Sequence, residues 1–441
     1  MRPQQIRNDK TSGKRWLALT LILFVVATAI AGYNGASILP TAQAMSQDRP
    51  FQQDSQTELT PFIAHLLRWQ DKQSPHLPPV NRGGGGKQGA GQQFEIFNLD
   101  TFEANLKAAL DSKTVGYSYA IYENDQLRRA GAGGQAFVPG AKQSPDKRMT
   151  VMSMSKTITA TGVMKAIEEL NAQGKTITVD SKIAPFLPSE WKLGPHIKEL
   201  TFRQLLTHTG GIRPATGDPD SYLGLKQTIE QGVQTADIGQ FFYANADFCL
   251  FRIIIPYMIM SQAGIKNIEK LSWQDRALTL GKTYVSFIQQ HVLALAGLNG
   301  IDVVPTGVKP FVRYYKFGDT SAFASDPTDD TAVLRTGAGY WFMSAKEYGK
   351  FIASLRDGKI VGWQSAKLMQ DDNLGMYGTP SKFGTYWDHN GGFPPQANGS
   401  GAMADWMVFP NGITAVILVN STGGTTKPPQ DIVRDAYNAA W

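Results

Sequence analysis

Apolar and polar positions along the chain repeat with two periods, and the switches between them mark its elements. Behind Leu99-Asp100-Thr101, residues Phe102, Leu106 and Leu110 recur at helical spacing and predict a capped amphipathic helix. From Val115 to Tyr122 the pattern alternates, breaks at Glu123-Asn124-Asp125 and resumes at Gln126, as a hairpin does. Ser153 opens a long apolar helix through Ile158, Val163, Met164, Ile167 and Leu170, ending at Gly174. Near the other end, Ala402 to Phe409 and Ile413 to Val419 flank the turn Pro410-Asn411-Gly412 and predict a second hairpin. A last helix follows from Pro429 to Ala440. Strands at both ends with helical pattern between them predict a mixed α and β fold. A mainly antiparallel sheet flanked by helices would come from about residues 95–165 and 333–441, with a mostly helical region at about 166–332 inserted. There is no internal repeat.

The front of the chain follows a different grammar. Lys14-Arg15 precede an uncharged run of 17 residues from Trp16 to Gly32, a basic segment followed by an apolar one. This predicts export. Ala29-Ile30-Ala31 and Ala42-Gln43-Ala44 offer cleavage sites, so residues 1–44 are either a signal peptide or a retained membrane anchor. In the second case residues 16–32 would tether the protein. The basic residues ahead of the run would stay inside, leaving the rest periplasmic, extracellular or on the outer face of the cytoplasmic membrane. Residues 45–94 are rich in Gln, Pro, Asp and Gly, end in Gly83 to Gly86 and read as a flexible linker, interrupted by an amphipathic piece from Leu59 to Trp69.

Composition narrows the function. The chain has 441 residues, of which 42% are hydrophobic and 18% charged, enough for a large core. Of the net charge of +6, +4 lies in residues 1–44, which leaves +2 and no reason to invoke nucleic acid. Cys249, the lone cysteine, reads as a small buried apolar residue within Phe248-Cys249-Leu250-Phe251. His65, His76, His196, His208, His291 and His389 show no paired metal spacing, so no metal and no cofactor is expected.

Three short motifs carry chemistry, each present more than once. Ser-x-x-Lys occurs at Ser144, Ser153 and Ser189, but only Ser153-Met154-Ser155-Lys156 opens a helix. There, positions i and i+3 share a face, so Lys156 would stand beside the Ser153 hydroxyl. A serine needs a neighbour to take its proton, and Lys156 can do so only as a neutral amine. Tyr-x-Asn occurs at Tyr122 and at Tyr243-Ala244-Asn245; the second, among helical segments, offers a phenol to relay a proton and an amide to hold a carbonyl. His-x-Gly occurs at His208 and at His389-Asn390-Gly391, where Gly391-Gly392 would let a substrate backbone approach. The N–H groups of Ser153 and Gly392 are candidate oxyanion donors. Read singly, each motif is also an ordinary cap, turn or loop.

The three motifs in this order resemble the serine β-lactamase and DD-peptidase superfamily, in particular its class C β-lactamase, D-alanyl-D-alanine carboxypeptidase and esterase branch. Thr201 to Ile212 is similar to that branch's Leu-Leu-x-His-x-x-Gly segment, which marks His208 as a turn element; Val179–Pro188 and Gly337–Ser344 also match, so the resemblance spans roughly residues 95–441. It implies a β-lactamase/transpeptidase-like fold and an acyl-enzyme on Ser153, with Lys156 and Tyr243 moving protons. Asn245, His389, Gly391 and Gly392 would bind a small-molecule or peptidoglycan-like substrate. Esters, amides or D-amino-acid peptides are expected to turn over better than β-lactams, because His389 stands where class C lactamases carry lysine. A protonated His389 would then favour anionic substrates as pH falls. The alternatives are a true β-lactamase or a catalytically idle binding protein on the same fold. Departures occur at Ala246 to Arg252, at an insertion from Ala263 to Asp275, and at Phe393-Pro394-Pro395.

Overall fold

The computed structural model describes residues 96–441 apart from Val308 and Pro394. The expectations for a leader, a linker and a helix at 59–69 therefore lie outside the described residues. In chain order the elements begin with α1 (Leu99–Leu110), β1 (Gly116–Glu123), β2 (Gln126–Phe137), β3 (Ala141–Lys142), β4 (Met149–Thr150) and α2 (Ser155–Ala172). A helical stretch follows with α3 (Phe202–Leu206), α4 (Tyr222–Gln231), α5 (Asn245–Cys249), α6 (Phe251–Ile259), α7 (Gln262–Ile268) and α8 (Trp273–Ile288). Then come β5 (Tyr314–Lys316), β6 (Asp319–Ala324), α9 (Thr331–Arg335), β7 (Phe342–Met343), α10 (Ala345–Arg356) and α11 (Trp363–Asp371). The last are β8 (Tyr377–Ser381), β9 (Gly384–Phe393), β10 (Ala402–Val408), β11 (Ile413–Val419), β12 (Ser421–Thr422) and α12 (Pro429–Asn438).

The large sheet has the order β3-β2-β1-β11-β10-β9-β8, and every neighbouring pair is antiparallel. The two ends of the domain meet at its centre, where Tyr119 of β1 lies opposite Ile417 of β11. Alternation sorts the side chains. Tyr119, Ile121, Ile417 and Val419 face α1 and α12, where Phe409 stacks on Tyr437 at 3.7 Å. Ala120, Trp406, Val416 and Leu418 face the larger core that contains α2. α2 is buried on nearly all sides, and its threonines are satisfied inside: Thr157 donates to the Gly375 carbonyl at 2.8 Å and Thr159 to that of Gly337 at 2.6 Å.

Three details differ from the sequence reading. The cap of α1 is Asn98, whose side chain accepts from the Thr101 N–H; Asp100 and Thr101 lie inside the helix. The stretch read as helical contains β5 and β6, which join β12 in a small sheet, because Ser421-Thr422 offers a strand edge parallel to Tyr315-Lys316. α10 and α11 lie within the stretch read as sheet.

Candidate active site

The site begins where β4 ends. β4 pairs with β7, the Val151 N–H donates to the Trp341 carbonyl at 2.8 Å, and Met152 then turns the chain at φ +50°. This backbone conformation is costly for a side chain other than glycine. A 3-10 turn over Met152–Met154 runs into α2. Ser153 therefore sits in a tight turn ahead of the helix rather than in its first turn, a correction to the sequence reading. The three-residue spacing still brings Lys156 Nζ to 3.1 Å from Ser153 Oγ.

Lys156 is fully buried. Besides Ser153, its amine contacts Asn245 Oδ1 at 2.9 Å and the Ala338 carbonyl at 3.1 Å. Tyr243 arrives in extended chain just before α5, whose first residue is Asn245. Its phenol donates to Ser153 Oγ at 2.8 Å, and its ring centroid lies 4.7 Å from the Lys156 nitrogen. Ala338 escaped the sequence reading, since a backbone carbonyl leaves no mark on residue type.

On the opposite side, β9 runs past the turn. β8 covers β9 only as far as Asp388, so the edge from His389 to Phe393 is free on that side. Gly391 lies against the turn that carries Ser153: a Cβ there would meet the Val151 carbonyl oxygen at 2.9 Å and Ser153 N at 3.2 Å. At Gly392 a Cβ would meet nothing within 4 Å. His389 is buried, with Nδ1 2.6 Å from the Asn390 carbonyl and its ring 5.1 Å from that of Tyr377. A carbonyl can only accept, so the neutral ring carries its proton on Nδ1 and leaves Nε2, buried without a partner, as an acceptor. Burial is the main cause that pushes its pKa down to about 3, and any charge on Lys156 acts in the same direction. The sequence-based expectation of a histidine charging near its ordinary pKa is thereby corrected.

The other motif copies are engaged elsewhere. Ser189 Oγ lies 2.9 Å from Glu269 Oε1, Lys147 donates to the Pro310 carbonyl at 3.3 Å, and the Tyr122 phenol to that of Lys346 at 2.9 Å. Cys249 is buried, and burial pushes its thiol up to about 12, which disfavours a thiolate. A surface cavity of about 550 Å³, between α8 and residues Thr328–Val333, shares no lining residue with the Ser153 site. A feature not foreseen from sequence lies behind Tyr243: His208 Nδ1 is 2.7 Å from Asp247 Oδ2, both side chains buried, and the His208 ring is 4.6 Å from that of Tyr243.

Residues 100–256 match the Beta-lactamase family. A putative penicillin-binding protein, PbpX of Bacillus subtilis, is 25% identical over 308 residues, covering 66% of this chain and 69% of the relative. Over these residues the chain is similar to the serine β-lactamase and DD-peptidase superfamily. Solved structures share this fold. D-amino acid amidase from Ochrobactrum anthropi superposes with a TM-score of 0.57 at 18% identity, over 77% of this chain and 98% of that one. The octameric penicillin-binding protein homologue from Pyrococcus abyssi gives 0.56 at 20% identity, over 78% and 76%. The family match and the amidase and penicillin-binding neighbours support a serine hydrolase family in general.

Proposed function

We propose that the protein is an acyl-transfer enzyme that forms an acyl-enzyme on Ser153. The observation that carries this reading is the continuous chain Tyr243 phenol, Ser153 hydroxyl, Lys156 amine. The two other partners of Lys156, Asn245 Oδ1 and the Ala338 carbonyl, bear no proton and can only accept. A neutral amine spends its two N–H bonds on them and turns its lone pair to Ser153. Lys156 then takes the serine proton as Oγ bonds to the substrate carbonyl, and the resulting ammonium is held by three acceptors. The Tyr243 phenol passes a proton to the leaving group and recovers one from Lys156, and water or another acceptor releases the acyl group. The N–H groups of Ser153 and Gly392 would hold the oxyanion. Asn245, with Oδ1 committed to Lys156, offers its amide N–H groups to the substrate.

Esters, amides or D-amino-acid peptides suit this site better than β-lactams. An uncharged His389 supplies no cation for the carboxylate of a lactam, and amidases and penicillin-binding proteins are among the similar proteins. The test is labelling of the full chain by a fluorophosphonate, with turnover of p-nitrophenyl esters, a D-Ala-D-Ala peptide and nitrocefin. Ser153→Ala should abolish labelling, whereas Ser144→Ala and Ser189→Ala should retain it. Lys156→Ala and Tyr243→Phe should each slow acylation by roughly two to four orders of magnitude, with losses that do not add. Labelling that survives Ser153→Ala overturns the assignment, and nitrocefin as the best substrate overturns the preference.

Lys14-Arg15 and the run Trp16 to Gly32 support export. Among the described residues no helix is long and apolar enough to cross a membrane. Recovery of the full-length chain in the soluble cytoplasmic fraction would rule export out.

A further inference from the structure

Asp247 stands in one of the stretches that depart from the family pattern, two residues after Asn245. It is a carboxylic acid buried behind the reacting groups, and the only hydrogen-bond partner of its side chain among the described residues is His208. His208 follows α3 in a left-handed conformation at φ +56°, which turns its ring inward. Around that ring lie Tyr243 at 4.6 Å, Phe248 at 5.1 Å and Phe241 at 6.0 Å.

The hydrogen bonds indicate where the proton resides. Two groups approach His208 Nδ1: Asp247 Oδ2 at 2.7 Å and the Ala244 N–H at 3.4 Å. The peptide N–H can only donate, so Nδ1 presents a lone pair and the short contact takes its proton from Asp247. The unpartnered atoms agree. Asp247 Oδ1 and His208 Nε2 are both buried without partners. An aspartate–imidazolium pair would bury a bare anionic oxygen and a bare cationic N–H, whereas an acid–imidazole pair buries only neutral groups. Burial drives both groups toward their uncharged forms, Asp247 well above the usual carboxylate range and His208 well below the ordinary imidazole value. The charged or titratable groups that face the pair are Lys156 on α2, Arg213 in the loop after α3, Tyr243, Tyr377 on β8 and His389 on β9.

We infer that Asp247 is a positioning residue held as the neutral acid, which donates to His208 Nδ1 so that the uncharged pair fixes the Tyr243 ring with its phenol on Ser153. Neutrality is part of the function. A carboxylate at this depth would stabilise the ammonium form of Lys156, the form that cannot accept the serine proton. The uncharged acid orients Tyr243 without that penalty.

The inference rests on acyl transfer through Tyr243, and its test has one arm that does not. Asn can replace the acid as a donor to Nδ1; Ala cannot. Asp247→Asn should keep kcat on an uncharged ester within about threefold and leave the pH profile in place. Asp247→Ala should lower kcat by about tenfold or more at nearly constant KM, because alignment and not binding is lost. Melting temperatures show whether each variant is folded. The second arm is nitrogen NMR of histidine-labelled Ser153→Ala protein, with the His208 resonances assigned by their loss in His208→Gln. It should find Nδ1 unprotonated and Nε2 protonated at pH 7, whether or not the wild type has activity. Asp247→Asn falling as far as Asp247→Ala, a shifted pH profile in Asp247→Asn, or a protonated Nδ1 overturns the inference. A wild type that no serine reagent labels, with the NMR result as expected, overturns the acyl-transfer reading and leaves the neutral pair standing.

Discussion

At the scale of single residues, burial decides what His389 can contribute. Its Nδ1 proton is spent on the Asn390 carbonyl and burial pushes its pKa down to about 3, which keeps the ring neutral between pH 8 and pH 5. A group with a depressed pKa gains its charge only below that value, so no new cation forms between pH 8 and pH 5. We predict that the ratio of kcat/KM for a carboxylate-bearing ester to that for its uncharged methyl ester is flat across this range. A ratio that climbs several-fold toward pH 5 would show that His389 is protonated in the cleft. Residue spacing made Ser153, Lys156, Tyr243 and Asn245 legible as a set, because three-residue steps and short loops constrain where side chains meet. It did not reveal the state of His389, which depends on a cross-strand register that turns it to the same face as Trp406 of β10. Nor did it reveal Asp247: a lone acid after Asn245 has no pattern, and its partner lies 39 positions away.

At the scale of elements, the site depends on how closely β9 passes the turn that carries Ser153. Gly391 permits the approach, and the nearest neighbour its missing Cβ would meet is backbone, which cannot rotate away. We predict that Gly391→Ala pushes the strand from the turn and lowers the rate of Ser153 labelling by up to about 100-fold, with the melting temperature little changed. Gly392→Ala meets open space and should leave labelling by a small probe nearly intact; equal losses in both variants would count against this account. The flanking hairpins were readable from alternation and from the Pro410-Asn411-Gly412 turn, where Gly412 takes φ +87°. β8 was not, because Tyr377-Gly-Thr-Pro-Ser381 does not alternate and carries a proline, which only an edge strand accommodates. β5 and β6 were missed for a related reason: the strand edge that organises them, Ser421-Thr422, is about a hundred residues downstream and adds only two residues of pairing.

At the scale of the whole molecule, the buried ionisable groups set how stability depends on pH, and two sets act in opposite directions. Asp388 and Asp405 are diagonal neighbours on β9 and β10, on the face covered by α12, and both Asp405 oxygens lack partners. Burial pushes Asp388 and Asp326 up to about 7 and Asp405 and Asp247 well above the usual carboxylate range, with the charge of Asp388 adding to the shift of Asp405. His208 and His389 are shifted down. Below about pH 6.5, and for His389 down to about pH 3, the unfolded histidines bind protons that the folded ones do not, so their contribution to stability grows as pH rises. Above about pH 4 the unfolded aspartates lose protons that the folded ones keep, so theirs falls as pH rises through about 7 and beyond. The histidine contribution is complete near pH 6.5 and constant above it, where only the carboxylate contribution still changes. We therefore predict that the melting temperature falls from pH 6.5 to pH 8. A net change of ~3 kcal/mol would correspond to roughly 4 °C for a domain of this size. Asp405→Asn should recover part of that loss at pH 8 and change little at pH 5, where the native acid is already uncharged. A melting temperature that rises steadily from pH 5 to pH 8, or an Asp405→Asn variant no more stable than the parent at pH 8, would mean that these carboxylates are ionised in the folded protein and paired with counter-charges.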